Sequence, residues 1–152
     1  QINVIGNYNT INYQALNSLQ VSSNYTKIKG STVSKTTISG NYLTIKLGTV
    51  DHSAAINSNY SDIQLDTNSK TDLIEINGNY SNSKITLGAD FAFDLKLNMK
   101  YGTFKENLGM RLKYTDKYEK NNTKIFTGYH ISSGKAKVSI TTNYGNVQLL
   151  NQ

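Results

Sequence analysis

The stretch SNYTKI, Ser23 to Ile28, returns along the chain as GNYLTI at 40–45, SNYSDI at 58–63 and TNYGNV at 142–147. With the tyrosine as marker, Tyr8, Tyr25, Tyr42, Tyr60, Tyr80, Tyr101 and Tyr144 follow at intervals of 17, 17, 18, 20, 21 and 43 residues. The last interval is close to two periods. Self-similarity at a near-constant period signals a repeat architecture, in which one structural unit is copied and stacked. No other feature of the sequence restricts the fold so tightly.

Each unit has the same internal order. Val21, Ile38, Ile56, Ile76, Leu97 and Ile140 stand four residues before the marker. Ile28, Ile45, Ile63, Phe104 and Val147 stand three residues after it, with Leu47, Leu65 and Leu149 two further on. Apolar residues therefore alternate on even offsets before the Tyr and on odd offsets after it. Alternation marks half-buried strands. The change of parity predicts a corner at Asn-Tyr that keeps both strands facing one interior. Asn suits a corner because it tolerates left-handed backbone and hydrogen-bonds locally. Gly30, Gly40, Gly48, Gly78, Gly88 and Gly109 mark further bends. The fourth unit, NYSNSKITL, reads as carrying two extra residues, which place Ile85 and Leu87 where Ile63 and Leu65 stand. An even insertion leaves the facing of a strand unchanged.

Two assemblies can be built from such units. In an antiparallel meander or barrel each period is a hairpin; in a β-solenoid each period is a coil, and equivalent strands stack in parallel. Near-identical corners favour the coil, because stacking sets Asn on Asn, Tyr on Tyr and Ile on Ile. A membrane barrel needs strands of about 9–11 residues with apolar outer belts. Here two strands and two turns share 17–21 residues. The expected fold is thus all-β, a right-handed parallel β-solenoid (β-helix) of about seven coils in one domain over 1–152. The hand follows the general preference of parallel crossovers, and at about 4.8 Å per coil the rod is about 34 Å long. Its expected core is Val21, Ile28, Ile38, Ile45, Leu47, Ile56, Ile63, Leu65, Ile76, Ile85, Leu97, Phe104, Ile140 and Val147.

The pattern lapses once. GMRLKYTDKYEKNNTKIFTG, at about 109–128, carries the densest charge in the chain, and its halves flank Asn121–Asn122. This predicts a hairpin or long loop projecting from the rod, after which AKVSITTNYGNVQLL forms the final coil at about 136–150. One reading is an insertion that shields the end or flank of the solenoid. The other is a specificity loop, since loops on rigid scaffolds carry function more often than the scaffold does. Arg111, Lys113, Tyr114, Tyr118 and Lys120 are then the candidate binding residues, offering cations and aromatics to an acidic or saccharide partner.

Composition narrows the function classes. The chain has no cysteine, which excludes disulfides and Cys-ligated metal and leaves the redox compartment open. No apolar run approaches the roughly 18 residues of a membrane-spanning helix. The sequence opens at Gln1 without a basic-then-apolar leader, so a signal peptide is expected to have been removed or never present. The net charge of +6 comes from 16 basic and 10 acidic residues. The lysines, among them Lys27, Lys29, Lys46, Lys84 and Lys96, are scattered over outward strand positions, a pattern of solvation and edge protection. No nucleic acid partner is expected.

These repeated corners, together with LGADFAFDLKLNMKYG, the charged excursion and GYHISSGKAKVSITTNYGNVQLL, resemble a bacterial family of adhesin-like domains built from repeated β-strand units. The similarity covers nearly the whole chain and is strongest from Ile85 to Leu149. The resemblance implies a β-helix-like fold and an exported protein of the cell envelope or surface, periplasmic, outer or secreted. It carries over no catalytic residues. Only Tyr101–Gly102 and Tyr144–Gly145 keep the Tyr-Gly form of the corner.

Other constellations have plain structural roles beside their functional ones. The tyrosines form either an aromatic spine that fills a corner or an exposed strip that stacks on sugars or peptides. His52 and His130 are isolated, whereas a zinc site needs three or four convergent ligands. Asp62 with Asp66, Asp72 with Glu75, and Asp90 with Asp94 are the carboxylate pairs that glycoside hydrolysis would require. Ser132 and Ser139 lie near His130, yet no G-x-S-x-G elbow or phosphate-binding loop exists. Thr36, Thr37, Thr44 and Thr86 lie on strands, but outward positions Lys29, Lys46, Gln64 and Thr86 break any ice-binding threonine array. The resulting expectation is a non-enzymatic surface module that binds or spaces, without cofactor, metal or catalytic residues. Its expected partner is a saccharide or a surface protein. The alternatives are a small polysaccharide-processing enzyme on the same fold and a purely structural stalk.

Overall fold

The computed structural model describes residues 1–107 and 112–152. The strands are β1 (Ile2–Asn7), β2 (Thr10–Asn24), β3 (Lys27–Asn41), β4 (Thr44–Asn59), β5 (Asp62–Thr67), β6 (Leu73–Asn79) and β7 (Asn82–Leu87). They continue as β8 (Phe93–Lys100), β9 (Phe104–Glu106), β10 (Leu112–Lys120), β11 (Thr123–His130), β12 (Ala136–Asn143) and β13 (Val147–Asn151). No helix occurs among the described residues. All thirteen strands belong to one curled, mostly parallel sheet. The expected all-β, parallel character is therefore what the chain adopts.

Every strand break that ends in Asn-Tyr is a corner, and the backbone explains the parity change. Tyr8, Tyr25, Tyr42, Tyr60, Tyr80, Tyr101 and Tyr144 all have positive φ, between 53° and 59°. A bulky residue rarely occupies this left-handed region. One such residue reverses which side of the strand faces inward, so the alternation resumes out of phase. The Tyr, rather than the Asn before it, takes the strained conformation.

Between corners, equivalent residues pair in register. Val21 lies beside Ile38, Ile38 beside Ile56 and Ile56 beside Ile76. On the other side of the corner Ile28, Ile45 and Ile63 align in the same way. These columns are buried almost completely and form one continuous core with Leu47, Leu65, Leu97, Ile140 and Val147. Each such side chain contributes about 1.5–3 kcal/mol when fully buried. Of the expected core, Phe104 alone is only half-buried, because β9 is short and stands at the end of the sheet.

The lengthening of the period from 17 to 21 residues has a visible cause. The early units run from corner to corner as single strands of 15 or 16 residues. In the first, the Tyr13 ring lies over Gly30 and its hydroxyl donates to the Leu47 carbonyl at 3.0 Å. Later units break their strands with turns at 68–71 and 88–91, closed by Thr71 and Phe91 donating to Asn68 and Gly88. The second turn drives Phe91 inward against Phe93, at 5.0 Å between ring centroids. The early bend is thus filled by a tyrosine and the later turn by a phenylalanine.

Three expectations need correction. The fourth unit carries no insertion at its corner: Asn82 pairs with Asp62 and Ser83 with Ile63, so Ile85 aligns with Leu65. Ser83 simply takes an apolar slot as a buried serine. The charged excursion does form a hairpin, turning at Asn121–Asn122, both with positive φ as a tight two-residue turn requires. It does not project, however. β11 lies antiparallel along β8, pairing Phe126 with Leu97, and supplies hydrogen-bond partners to an edge that would otherwise be open.

The third correction concerns order. The segment 136–151 does not follow the unit of Tyr101. β12 lies between β6 and β8, and β13 between β7 and β9. The Tyr144 ring stacks on Tyr80 on one side and Tyr101 on the other, at 4.8 Å in each case. The outer edge of β8 is taken by β11, so the remaining place for a matching unit is the slot on its inner side.

Candidate functional site

The corners build the most regular surface of the molecule. The seven marker rings form one continuous stack in the order Tyr8, Tyr25, Tyr42, Tyr60, Tyr80, Tyr144, Tyr101, with centroids 4.8–5.1 Å apart. Adjacent planes differ by 10° at most. The rings lie outside the core: Tyr8 is 78% exposed and the others about half exposed. The spine therefore does not fill the interior of the corner. Because each ring covers its neighbour's faces, the strip presents edges and hydroxyls to solvent, and a sugar or base finds an open aromatic face only at an end.

Beside the tyrosines runs an amide ladder. Asn24, Asn41, Asn59, Asn79 and Asn143 each donate from Nδ2 to the Oδ1 of the preceding asparagine in the stack, at 2.8–3.0 Å. Every marker Tyr N–H donates to the carbonyl of the next level, from Tyr8 to Asn24 through Tyr144 to Lys100. The last, Tyr101, donates to the Asn122 carbonyl at 2.9 Å. The hairpin turn thus occupies the place that a further Asn would take, and it closes this end. At the two Tyr-Gly corners the glycine is a matter of space. A Cβ on Gly102 would lie 1.9 Å from the Gly145 carbonyl oxygen.

A shallow groove of about 300 Å³ lies on the outward face that follows the corners. Lys46, Gln64, Asn82, Lys84, Asn146 and Gln148 line it, together with Asp62. Asn82 donates to Asp62 Oδ1 and Asn146 donates to Asn82 Oδ1, both at 3.1 Å, so one wall is a rigid amide chain. Misplacing the fourth unit by two residues hid this arrangement in the sequence. The residue beside Gln64 is Lys84, not Thr86.

The hairpin residues are not gathered in one place. Arg111 falls outside the described residues. Tyr114 turns inward: its hydroxyl donates to Glu106 at 2.9 Å, and its ring meets Phe126 edge-on. Burial, then the Glu106 hydrogen bond and charge, push its hydroxyl above the ordinary tyrosine range. Lys117 sits over the Tyr114 and Phe126 rings, at 4.8 and 4.9 Å. Lys113, Tyr118 and Lys120 are exposed along the outermost strand. Charge there also keeps an open edge from pairing with other chains.

The titratable pairs are dispersed or structural. His130 is buried against Phe93 and binds the Phe91 carbonyl through Nδ1 at 2.7 Å, which makes it a core residue. His52 on β4 pairs at 3.2 Å with Asp72, just before β6, both exposed. Asp72 and Asp90 line one open cleft with Lys135, whereas Asp94 accepts from the Gly134 N–H. Asp62 accepts from Asn82 on the groove face. Among the described residues no three His, Asp or Glu side chains are grouped to hold a metal ion. No family model, curated protein or solved structure matches the chain.

Proposed function

We propose that the chain is a non-enzymatic binding or spacer module of a bacterial cell envelope or surface, adhesin-like in its use of a long regular face. In this reading the curled sheet is a right-handed parallel β-solenoid of about seven coils, one per marker tyrosine. The observation that carries it is the uninterrupted stack of seven exposed tyrosines flanked by the asparagine ladder. Such a stack stiffens the surface and repeats the same chemistry at every level. A repeated, rigid, polar face suits an extended ligand that makes many weak contacts, since multivalency multiplies individually small affinities.

The test is a glycan and peptidoglycan array probed with the intact chain, with reducing-end release measured in parallel. Retention without release is expected. Release of new ends would establish the polysaccharide-processing alternative, and retention of no saccharide or surface component would leave the binding role without support.

A further inference from the structure

The stacking order rearranges the outward residues into a pattern that the sequence conceals. Take the position four residues after each marker tyrosine and follow it in spatial order. Register places Asn12 beside Lys29 and Lys29 beside Lys46, then Lys46 beside Gln64, Gln64 beside Lys84, Lys84 beside Gln148 and Gln148 beside Lys105. Along the chain the last five of these read Lys46, Gln64, Lys84, Lys105, Gln148, without alternation. In space lysine and glutamine alternate over the five levels from Lys46 to Lys105, because the 136–151 segment enters between the units of Tyr80 and Tyr101. Two levels separate successive lysines of this alternating stretch, about 9.6 Å at the usual strand spacing.

We infer that this alternating stretch, with the groove that Lys46, Gln64, Lys84 and Gln148 line, is the binding site for a linear acidic polysaccharide carrying one carboxylate per disaccharide. The inference rests on the binding-module reading and names its ligand. From Lys46 to Lys105 a lysine at every second level sets cations at roughly the repeat of such a chain. The intervening Gln64 and Gln148 offer both donor and acceptor groups to sugar hydroxyls, as do Asn82 and Asn146 along the groove wall. Asp62 accepts from hydroxyls, and its charge disfavours a densely anionic ligand more than a sparsely charged one. The tyrosine faces are covered by one another, which removes the stacking platforms that single-stranded nucleic acid uses. The chemistry therefore favours a hydroxyl-rich, sparsely charged polymer over a nucleic acid.

The experiment measures binding of the intact chain to hyaluronan oligosaccharides long enough to span five levels. Polygalacturonate, with a carboxylate on every sugar, neutral dextran and oligo(dT) are run beside it. Hyaluronan is expected to bind in a salt-dependent manner and more tightly than the other three. Lys46→Gln with Lys84→Gln should weaken it roughly tenfold, the sum expected for two exposed ion pairs. Lys96→Gln with Lys137→Gln, on strands before the corners, should change it little, and matching melting curves establish that both variants fold. Equal loss in both variants, or tighter binding of oligo(dT), would overturn the proposal. If array glycans are retained but hyaluronan binding does not depend on Lys46 and Lys84, the groove assignment falls while the module reading stands. Retention of nothing at all removes both.

Discussion

Tyr144 and Tyr80 stack with their centroids 4.8 Å apart and their planes 5° from parallel, although 64 residues separate them in the chain. The contact shows that complementary corners stack without regard to succession in the sequence. The same complementarity supplies the stability of the exposed strip.

Tyr42 has a ring on each side, whereas Tyr8 has one on a single side. Tyr42→Ala is expected to lower unfolding free energy by about 1–3 kcal/mol, and Tyr8→Ala by roughly half of that. Urea denaturation measures both. Equal losses would show that stacking is not what the ring contributes.

Asn41 donates to Asn24 and accepts from Asn59, both at 3.0 Å. Asn41→Asp keeps the shape but sets an acceptor against the Asn24 Oδ1. A loss of about 1–3 kcal/mol is expected from the lost donor, seen as a lower Tm at neutral pH. Asn7, at the start of the ladder, accepts from Asn24, so Asn7→Asp should cost much less.

Gly30 is fixed by its neighbour, because a Cβ there would come 1.9 Å from the Tyr13 Cζ. Gly30→Ala should destabilise strongly in the wild-type background and only weakly in Tyr13→Ala. A double-mutant cycle reads this coupling, of the order of 0.5–3 kcal/mol for side chains in contact.

Burial pushes the Tyr13 hydroxyl from 10.0 to about 12. The fold therefore favours the neutral phenol, and this contribution is fully present below pH 10 and lost as pH rises through about 12. Tm should fall across that window, with a shallower slope in Tyr13→Phe. Identical slopes would place Tyr13 outside the alkaline transition.

Ile140 is fully buried on β12, between Ile76 and Leu97. Ile140→Ala should cost about 2–5 kcal/mol. Hydrogen exchange should then show β8 and β11 losing protection before β2 and β3, because β12 is what joins them to the rest of the sheet.

What the sequence reveals here is what side-chain period encodes locally. The corners and the inward columns are legible because one left-handed Tyr shifts the alternation in the same way each time. Ser83 misled the apolar template: the chain tolerates a buried hydroxyl there, and the ladder from Asp62 to Asn82 holds the register instead. The stacking order was not legible, since an interval of 43 residues is as compatible with a unit inserted beside Tyr80 as with one added beyond Tyr101. The edge of β8, occupied by β11, decides between them. The Lys46–Gln64–Lys84 column stayed hidden for the same reasons, because it requires both the register and the order.

The position of β12 between β6 and β8 also bears on how the molecule is made. A repeat protein can ordinarily grow like a wall, each course laid on the one before. Here the courses from β1 to β7 can be laid in that way, but β8 and β9 cannot settle against β6 and β7, because their neighbour has not yet been synthesised. The nascent chain holds two unpaired edges until residues 136–151 arrive, and the piece laid last is an interior one. Closure of this kind depends on distant contacts, which slows folding, and the open edges in the meantime invite pairing with other chains. A keystone, rather than a capstone, completes the structure.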